Sequence, residues 1–584
     1  MQGPPSLRIT LGQHSLAASG APPEALNQDF HGALVPTGAA LRLKGIAVAL
    51  ADGIGSSPVS HIASAAAVRG FLDDYYATSD AWSLRRAAQR VLGATNAWLH
   101  AQNQRGDARF DKDRGYCCTF SALVLKGREV HLLHVGDSRI YRVHAQALEQ
   151  LTEDHRLHLG AGQSYLGRAL GAAPHVEIDH LCLDAEPGAV YLLATDGAYE
   201  RLDAAAVHAA LAAHGDDFDG AAAALVRTAR ERGSTDDATV QLLRIDALPP
   251  HDALPWQAQR AQLRLPPPLA PRSVFEGFTL LRELYASARS QVFLARDAHT
   301  GQQLVIKVPA TDLREDADAL DRFLLEEWVA RRVRSPHVLQ AWAGERAREH
   351  LYVAMEYIEG QTLAQWITDH PRPDVDSVRG LVAQLAQGLQ AFHGKEMLHQ
   401  DLRPENVMID RSGTVKIIDF AAAHVAGLAE AASSRQAPHI VGSLQYTAPE
   451  YFVGGTTTAR SDLFALAVLT YQMLCGQLPY GLQVTQLRQP ADLKRLRYVP
   501  LRHHRPELPA WLDAVLHKAL QPDSARRQEA VSEFIYDLHH PGPALLRTRA
   551  LPLAERNPVL FWQVCTVGLG LATGVLAGLR ILGR

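Results

Sequence analysis

The sequence predicts a multidomain α+β protein: an antiparallel β-sandwich flanked by helices, a second α+β domain and a C-terminal transmembrane helix. Three observations predict it. The chain has 584 residues, which is too long for one core, since domains usually hold about 100–150 residues. A proline-rich stretch separates two globular halves, and an uncharged apolar run lies near the end. The expected units are domains at 1–246 and 274–540, a linker at 247–273, a juxtamembrane segment at 541–557 and a membrane span at 558–579.

Composition excludes several functional classes. The net charge of -4 gives no electrostatic footprint for nucleic acid, so no nucleic-acid partner is expected. The five cysteines show neither metal-ligand spacing nor a paired framework, which is typical of a reducing cytosol. The start of the chain lacks a basic region followed by an apolar one, and no signal peptide is expected.

In the first half, strand-like apolar runs end repeatedly in aspartate. Three runs lead to Asp52, Asp137 and Asp196, and Asp29 and Asp236 flank the set. One Asp-Gly after a strand is usually a turn, but repeated endings of this kind predict convergent carboxylates. Oxygen ligands suit hard cations such as Mg²⁺ or Mn²⁺, and no His/Cys set in the sequence suggests zinc.

Helical segments lie between these runs. Residues 60–101 and 203–231 are Ala-rich and carry apolar residues at helical spacing. Strands and helices therefore arrive in blocks and not in strict alternation. This order favours an antiparallel α+β sandwich over a doubly wound sheet.

Residues 5–245 resemble the metal-dependent protein phosphatases of the protein phosphatase 2C family. The matching segments are NQD at 27–29, ADGIG at 51–55, CTFSAL at 118–123, HVGDSRIYR at 134–142, LTEDH at 151–155, YLGRALG at 165–171, LATDG at 193–197 and STDDAT at 234–239. The resemblance implies hydrolysis of phosphoserine or phosphothreonine by a water that two Mg²⁺ or Mn²⁺ ions activate. The ligands it implies are Asp29, Asp52, Asp196, Asp236 and the Gly53 carbonyl, with Asp137 either serving a third, weaker ion or capping a strand end.

The sequence departs from this family where the substrate phosphate should bind. Glu24 stands at the position of the family's phosphate-binding Arg, and Gln28 replaces a Glu. Since a carboxylate repels a phosphate, either Glu24 points away or another cation binds the phosphate. Arg139 and Arg168 are candidates for that cation, with a structural role as the alternative.

The linker at 247–273 is defined by its prolines, which include a run of three at 266–268. Such a segment stays extended and semi-rigid. It therefore holds two domains near each other without fusing their cores.

The second half carries an ordered polar set typical of phosphoryl transfer. Within the stretch 399–406, Asp401 precedes Asn406 by five residues, and Asp419 follows the strand-like run 415–418. Such a set orients a hydroxyl nucleophile and holds magnesium on ATP.

Residues 275–540 resemble the eukaryotic-like Ser/Thr protein kinases of bacteria, which implies a bilobal fold that uses ATP with Mg²⁺. Lys307 would bind the α and β phosphates, with Glu326 as its partner and Glu327 as the alternative. The implied catalytic residues are Asp401, Lys307, Glu326, Arg403 and Asn406. The implied ATP-binding residues are Leu284, Val292, Lys307, Glu356, Ile358, Asn406 and Asp419, the last two as metal ligands.

The resemblance also implies two structural contacts in this domain. Glu450 is expected to pair with Arg527. Asp462 is expected to hold the catalytic loop in place.

The second domain departs from its family at the phosphate-covering loop. The stretch 284–292 reads LYASARSQV, and every expected Gly is replaced. Because glycine lets backbone amides close over phosphates, these side chains weaken or reshape ATP binding. The family's Arg before Asp401 is Gln400, and the Gly after Phe420 is Ala421. Loss of that Arg argues against activation by phosphorylation of the activation loop.

The uncharged run 558–579 is long enough to cross ~30 Å of hydrocarbon as a helix. We expect a single-pass tail anchor in the cytoplasmic membrane, with both domains on the cytoplasmic side. A buried C-terminal helix is the alternative. Gly570, Gly574 and Gly578 recur on one helix face, which predicts a homodimer contact.

The leading interpretation is a bifunctional signalling enzyme that phosphorylates Ser/Thr of proteins and hydrolyses phosphoSer and phosphoThr. Its partners would be ATP, phosphoprotein substrates and the membrane. The alternative is a phosphatase regulated by a weak or inactive kinase-like domain that acts as nucleotide sensor or docking module. A third interpretation is a membrane scaffold in which both domains are inert.

Overall fold

The computed structural model describes residues 7–18, 26–105, 114–158, 164–250, 263–287, 289–310, 313, 316–344, 346–432, 444–540, 560–570 and 573. Several sequence expectations fall outside these residues. They concern Glu24, Gly574, Gly578, residues 251–262 of the linker and the juxtamembrane segment 541–557.

The first domain is built from two five-stranded antiparallel sheets. Its strands are β1 (Arg8–Leu16), β2 (Phe30–Leu34), β3 (Ile46–Ala51), β4 (Phe120–Lys126), β5 (Glu129–Val135), β6 (Arg139–Val143), β7 (Leu148–Gln150), β8 (Arg156–His158), β9 (Ser164–Leu166), β10 (Asp179–Asp184), β11 (Val190–Ala194) and β12 (Ala238–Ala247). One sheet has the order β1-β12-β11-β6-β7 and the other the order β10-β5-β4-β3-β2, while β8 and β9 pair in a separate two-stranded sheet. Apolar side chains from both sheets, such as Val48 and Leu243, share one buried cluster. The predicted antiparallel sandwich is confirmed.

Helices cover the outer faces of this sandwich. They are α1 (Gly38–Lys44), α2 (Ser60–Ala77), α3 (Leu84–Asn103), α4 (Asp196–Tyr199), α5 (Ala204–His214) and α6 (Phe218–Glu231). Helices α2 and α3 pack on the sheet that contains β3, and α5 and α6 pack on the sheet that contains β11. Ser83, Asp203 and Asp217 cap α3, α5 and α6 by accepting backbone N–H groups of the first turn.

The second domain has two lobes. The first lobe is a five-stranded sheet with one long helix, and its elements are β13 (Val274–Phe275), β14 (Phe278–Ala286), β15 (Ser290–Asp297), β16 (Gln303–Pro309), α7 (Ala317–Arg332) and β17 (Val353–Glu356). The second lobe is mainly helical, and its elements are β18 (Gly360–Thr362), α8 (Leu363–Asp369), α9 (Val375–His393), β19 (Met397–Leu398), β20 (Val407–Asp410), β21 (Val415–Ile417), β22 (His424–Val425), α10 (Ala426–Ala432), α11 (Ala459–Cys475), α12 (Leu501–His504), α13 (Ala510–Ala519) and α14 (Val531–His539). The predicted bilobal fold is confirmed.

The two domains contact each other directly. The N–H of Ser83, just before α3, donates to the Glu396 carboxylate at 2.7 Å. The N–H of Gly427 in α10 donates to the Ala81 carbonyl at 3.0 Å. Ala81 belongs to the buried apolar cluster of the second domain. The start of α3 is therefore packed against α10, the helix that follows the Asp419 site.

The C-terminal run differs from its expectation. Residues 560–570 and 573 are helical, and no helix in the described part of the chain is long and apolar enough to cross a membrane. The transmembrane helix expected at 558–579 is therefore not supported. Gly570 lies in the described helix, and the other two glycines of the expected dimer face, Gly574 and Gly578, are outside the described residues.

Candidate active sites

The sandwich topology brings the predicted carboxylates to one edge. Strands β3 and β5 run in the same direction on either side of β4, so the residues after them share an edge. The end of β11 lies beside the start of the antiparallel β12. Burial raises the pKa of Asp52 well above its usual range, and four neighbouring negative charges raise it further. Those four charges belong to Asp29, Asp196, Asp137 and Asp236.

Asp29 is held so that one carboxylate oxygen faces the other acids. Its Oδ2 accepts hydrogen bonds from the hydroxyls of Thr195 at 2.8 Å and Thr239 at 2.6 Å. Its Oδ1 is buried and has no hydrogen-bond partner among the described residues. Burial raises the pKa of Asp29 to about 7. A buried carboxylate oxygen without a donor, beside four more carboxylates, fits a hard divalent cation such as Mg²⁺ or Mn²⁺.

Asp196 and Gly53, two further ligands implied by the sequence, lie in the same region of the first domain. Burial and then the charges of Asp137 and Asp236 raise the pKa of Asp196 to about 6. A side chain at Gly53 would approach the Gln28 carbonyl oxygen to 2.9 Å, so only glycine fits at this position.

Sequence reasoning missed the role of Asp237. Its two carboxylate oxygens accept the N–H groups of Ala18 at 2.6 Å and Gln28 at 2.7 Å. Asp237 thereby fixes the segment that carries Asp29. The second Asp of the motif STDDAT is the signal that could have pointed to it.

Gln28, which stands where the family has a Glu, forms hydrogen bonds through its uncharged side-chain amide. Its amide nitrogen donates to the Ser57 carbonyl at 3.1 Å, and its amide oxygen accepts from the Ser60 hydroxyl at 2.9 Å. The side chain therefore ties the segment before β2 to the start of α2.

Arg156 is a cation inside the carboxylate cluster that sequence reasoning also missed. Its Nε lies 2.7 Å from Asp137 Oδ2, and its Nη2 lies 3.3 Å from Asp196 Oδ2. Asp137, expected either to hold a third ion or to cap a strand end, is thus paired with an arginine. The position directly after the LTEDH motif is the only sequence signal for this residue.

The two arginines proposed from sequence have structural partners. Arg139 forms a two-pronged ion pair with Asp154, at 2.6 Å for the shortest contact. Arg168 pairs with Asp179 at 2.8 Å. Both are thus held by carboxylates, and the structural alternative stated for them fits these contacts.

In the second domain, Lys307 on β16 lies between two carboxylates. Its Nζ donates to Glu326 Oε2 on α7 at 2.6 Å and lies 4.0 Å from Asp419 Oδ1. Burial acts to lower the pKa of Lys307, but the charges of Asp419 and Glu326 raise it above its usual range. Glu327 instead pairs with Arg331 on its own helix. Of the two alternatives, Glu326 is the partner.

Asp401 and Asn406 form the centre of the catalytic loop. The Asn406 amide donates to the carboxylate of Asp401 and to its carbonyl, both at 2.9 Å. Burial raises the pKa of Asp401. Arg403 Nε lies 3.7 Å from Asp401 Oδ2 and has no hydrogen-bond partner among the described residues. Partial burial acts to raise the pKa of Asp419, but the charge of Lys307 lowers it.

The two expected structural contacts are confirmed. Asp462 accepts the N–H groups of His399 and Gln400, both at 2.9 Å, and so fixes the loop before Asp401. Arg527 forms a two-pronged ion pair with Glu450 at 2.8 Å for each prong.

The hairpin between β14 and β15 is closed by a side chain. Ser287 Oγ accepts the N–H groups of Arg289 at 3.2 Å and Ser290 at 3.1 Å. In a glycine-rich loop such N–H groups are free to bind phosphate oxygens. Here a hydroxyl already occupies them.

Four of the residues expected to bind ATP, Leu284, Val292, Glu356 and Ile358, lie on or next to strands of the first lobe. Val292 is the register partner of Lys307, and Leu284 lies in the facing strand β14. Ile358 is buried after β17. The Glu356 carboxylate accepts from Lys416 at 2.7 Å on both oxygens, so its side chain is occupied by an ion pair.

Two known protein families match the chain, one in each of the two predicted domains. The protein kinase domain family matches residues 279–537, and the protein phosphatase 2C family matches residues 21–242.

Known relatives cover single parts of the chain. Serine/threonine-protein kinase pkn2 of Myxococcus xanthus is 32% identical over 274 residues, which is 45% of this chain and 32% of that protein. The chain thus spans less than half the length of the curated relatives it matches first.

Two solved structures are each similar to a part of the chain. The PknI kinase domain of Mycobacterium tuberculosis is 27% identical, with a TM-score of 0.36 over 47% of this chain and 98% of that one. PppA of Pseudomonas aeruginosa is 22% identical, with a TM-score of 0.33 over 41% of this chain and 97% of that one. Taken together, the family matches place a protein phosphatase 2C-like domain before a protein kinase domain, and the kinase relatives named above are bacterial Ser/Thr protein kinases.

Proposed function

We propose that the chain is a bifunctional enzyme that phosphorylates Ser/Thr residues of proteins and removes phosphate from phosphoserine and phosphothreonine. The observation that carries the phosphatase half is the convergence of five carboxylates, with no donor to the buried Asp29 Oδ1 among the described residues. The observation that carries the kinase half is the contact of Lys307 with Glu326 next to Asp419.

In the phosphatase domain, Asp29, Asp52, Asp196 and Asp236, with the Gly53 carbonyl, would hold two Mg²⁺ or Mn²⁺ ions. These ions would supply an activated water and neutralise the phosphate charge. The Thr195 and Thr239 hydroxyls fix Asp29 in place. The guanidinium of Arg156 is the positive group beside the carboxylates, and we assign it the binding of the substrate phosphate.

In the kinase domain, Asp401 would orient the substrate hydroxyl, because Asn406 holds its carboxylate in one position. Arg403 lies beside Asp401, and its Nε–H has no acceptor in the described part of the chain, which suits the γ-phosphate. Asn406 and Asp419 would hold Mg²⁺, which would neutralise charge on the ATP phosphates. Lys307, kept protonated by its two carboxylates, would bind the α and β phosphates.

Substitutions in the purified full chain test the two proposed activities independently of each other. We expect Asp52→Asn to abolish Mn²⁺-dependent hydrolysis of a phosphothreonine peptide and Asp401→Asn to leave it intact. In the Asp52→Asn background, transfer of the γ-phosphate of ATP to a basic protein should fall at least about 100-fold on adding Asp401→Asn. Asp216→Asn, in an exposed ion pair, and Asp410→Asn, in a surface turn, are the matched controls. Hydrolysis that persists in Asp52→Asn would refute the metal assignment.

A second candidate function is favoured by the Ser287 hairpin. Since its N–H groups are occupied by the serine hydroxyl, the domain would bind nucleotide weakly and act as a sensor or docking module. Thermal stabilisation by ATP without phosphate transfer would support this candidate, and transfer would exclude it.

We also propose that the segment 558–579 anchors the chain in the cytoplasmic membrane, with dimer contacts through Gly570, Gly574 and Gly578. The uncharged sequence of the segment supports this proposal. Flotation with lipid vesicles should be lost on truncation after residue 550, and flotation of the truncated chain would contradict it.

A further inference from the structure

A second group of metal-ligating side chains lies on the phosphatase sheet, outside both active sites. In the antiparallel pair of β5 and β10, Cys182 is the register partner of His131, and Asp184 is the partner of Glu129. Residues two apart on a strand face the same side of the sheet, so Glu129, His131 and Cys182 share a face. One ligand atom from each of the three lies within 4.8 Å of the other two.

His131 points to a ligand at this place. Its side chain is 2% exposed, and its Nε2 is buried without a hydrogen-bond partner among the described residues. This nitrogen lies 3.5 Å from the Glu129 carboxylate. A buried ring nitrogen that makes no hydrogen bond is costly unless something else binds it.

His180 offers an acceptor for the ring state of His131 that a metal needs. His131 Nδ1 lies 3.2 Å from His180 Nε2, and the two rings stack. When His131 Nδ1 carries the proton and donates it to His180, the His131 Nε2 keeps its lone pair. An imidazole that donates its other N–H to a neighbour is the usual arrangement of a metal-bound histidine.

We propose that Glu129, His131 and Cys182 bind a divalent transition-metal ion of the zinc class. An imidazole, a thiolate and a carboxylate are ligands that zinc accepts, whereas Mg²⁺ prefers oxygen ligands alone. In a tetrahedral site the ligand atoms lie ~3.4–3.7 Å apart, so small rotations would close the present separation. The Cys182 side chain has room for such a rotation because β10 is an edge strand.

This site would stabilise the contact between the domains. The turn between β4 and β5 lies directly before Glu129, and Lys126 at its start pairs with Glu430 of α10 at 2.8 Å. Gly127 in the turn lies so close to the Ala431 carbonyl oxygen that a Cβ would come within 2.5 Å of it. A metal that joins β5 to β10 would hold this hairpin against the kinase domain. The inference does not rest on the proposed function, since none of the three ligands belongs to either active site.

Cobalt titration of the purified, metal-stripped full chain tests the proposal. We expect one equivalent of Co²⁺ to produce a thiolate-to-cobalt charge-transfer band in the near ultraviolet, and Zn²⁺ to abolish it. Cys182→Ser should remove the band, and Glu129→Gln should weaken zinc binding at least about 10-fold. The band should persist in Asp52→Asn, because the phosphatase centre is separate.

Two cysteine variants serve as controls. Cys118→Ala removes the thiol beside the phosphatase carboxylates, and Cys475→Ser removes the thiol of α11; both should keep the band. Because Cys182 lies on an edge strand, Cys182→Ser should keep the wild-type circular dichroism spectrum. No band at stoichiometric Co²⁺, or a band that survives Cys182→Ser, would overturn the proposal.

Discussion

Lys126 of the phosphatase domain donates to the Glu430 carboxylate of the kinase domain at 2.8 Å, and its side chain is only 1% exposed. The same carboxylate oxygen accepts the N–H of Leu84 at 2.9 Å, at the start of α3. Glu430 lies in α10, shortly after Asp419. The phosphatase domain therefore holds the part of the chain that follows the kinase metal site.

Loss of the Glu430 charge should weaken the contact between the domains. In Glu430→Gln a buried ammonium group loses its counter-charge, and we expect a loss of about 2–3 kcal/mol in the free energy of unfolding. Hydrogen exchange of the Leu84 amide, which donates to the Glu430 carboxylate, should become faster in the same variant. Urea unfolding and hydrogen exchange of the full chain measure both changes.

The control for Glu430→Gln is Glu359→Gln. Glu359 pairs with Arg411, but the two side chains are 54% and 76% exposed, so less than about 0.5 kcal/mol should be lost. Equal losses in the two variants would show that Glu430 makes no special contribution.

Removal of Arg156 should change how the phosphatase binds its metals and its phosphate. In Arg156→Ala, Asp137 and Asp196 lose a positive neighbour, so Mn²⁺ binding should tighten about 10-fold or gain one further ion. Inhibition by inorganic phosphate should weaken at the same time. Isothermal titration with Mn²⁺ and phosphate inhibition constants measure the two effects.

Arg142→Ala is the matched control for Arg156→Ala. Arg142 lies in the same domain and pairs with Glu186, away from the carboxylate cluster. Weaker Mn²⁺ binding in Arg156→Ala would contradict the role given to Arg156.

The fold was largely predictable because local patterns and global fold agree. Aspartates after apolar runs marked the ends of β3, β5 and β11, and Ala-rich blocks marked α2, α3, α5 and α6. The contact between the domains was not predictable. It joins Lys126 to Glu430 across more than 300 residues, and nothing in either local stretch indicates the partner.

The same difference between local sequence patterns and contacts distant in sequence applies to the candidate sites. Asp401, Asn406 and Asp419 belong to one short ordered set, so the sequence could single them out as a group, whereas the hydrogen bonds between Asn406 and Asp401 come from the structure. Arg156 was missed because one arginine beside a motif has no spacing signal. The proposed site of Glu129, His131 and Cys182 could not be predicted from the spacing of the cysteines. Cys182 is far from the other two residues in sequence, and only the pairing of β10 with β5 brings it close to them.

Acidic pH should oppose metal binding by the phosphatase domain. The pKa values of Asp29, about 7, and Asp196, about 6, are raised from 3.8, so the folded metal-free domain keeps protons that the unfolded chain loses. The free energy of unfolding of the metal-free protein should therefore fall as pH rises from about 4 to 7. Mn²⁺ must displace these protons, so it should stabilise more at pH 8 than at pH 6. Thermal unfolding with and without Mn²⁺ at each pH measures this.

A substitution control accompanies the pH experiment. Asp196→Asn removes one of the titrating groups and should reduce both the pH dependence and the stabilisation by Mn²⁺. At 100 times the Kd, Mn²⁺ should add about 2.7 kcal/mol in the wild type at pH 8. Equal stabilisation at both pH values would contradict the protonation of these carboxylates.

Release of the hairpin amides should strengthen ATP binding by the kinase domain. Ser287→Gly removes the hydroxyl that accepts the N–H groups of Arg289 and Ser290, and frees them for phosphate oxygens. Because glycine also lets the turn close over the nucleotide, we expect about 5-fold tighter ATP binding, or about 1 kcal/mol. Ser273→Gly, whose hydroxyl donates to the Ala270 carbonyl, is the matched control. Nucleotide titration measures both, and unchanged affinity in Ser287→Gly would mean that the hydroxyl does not compete with phosphate.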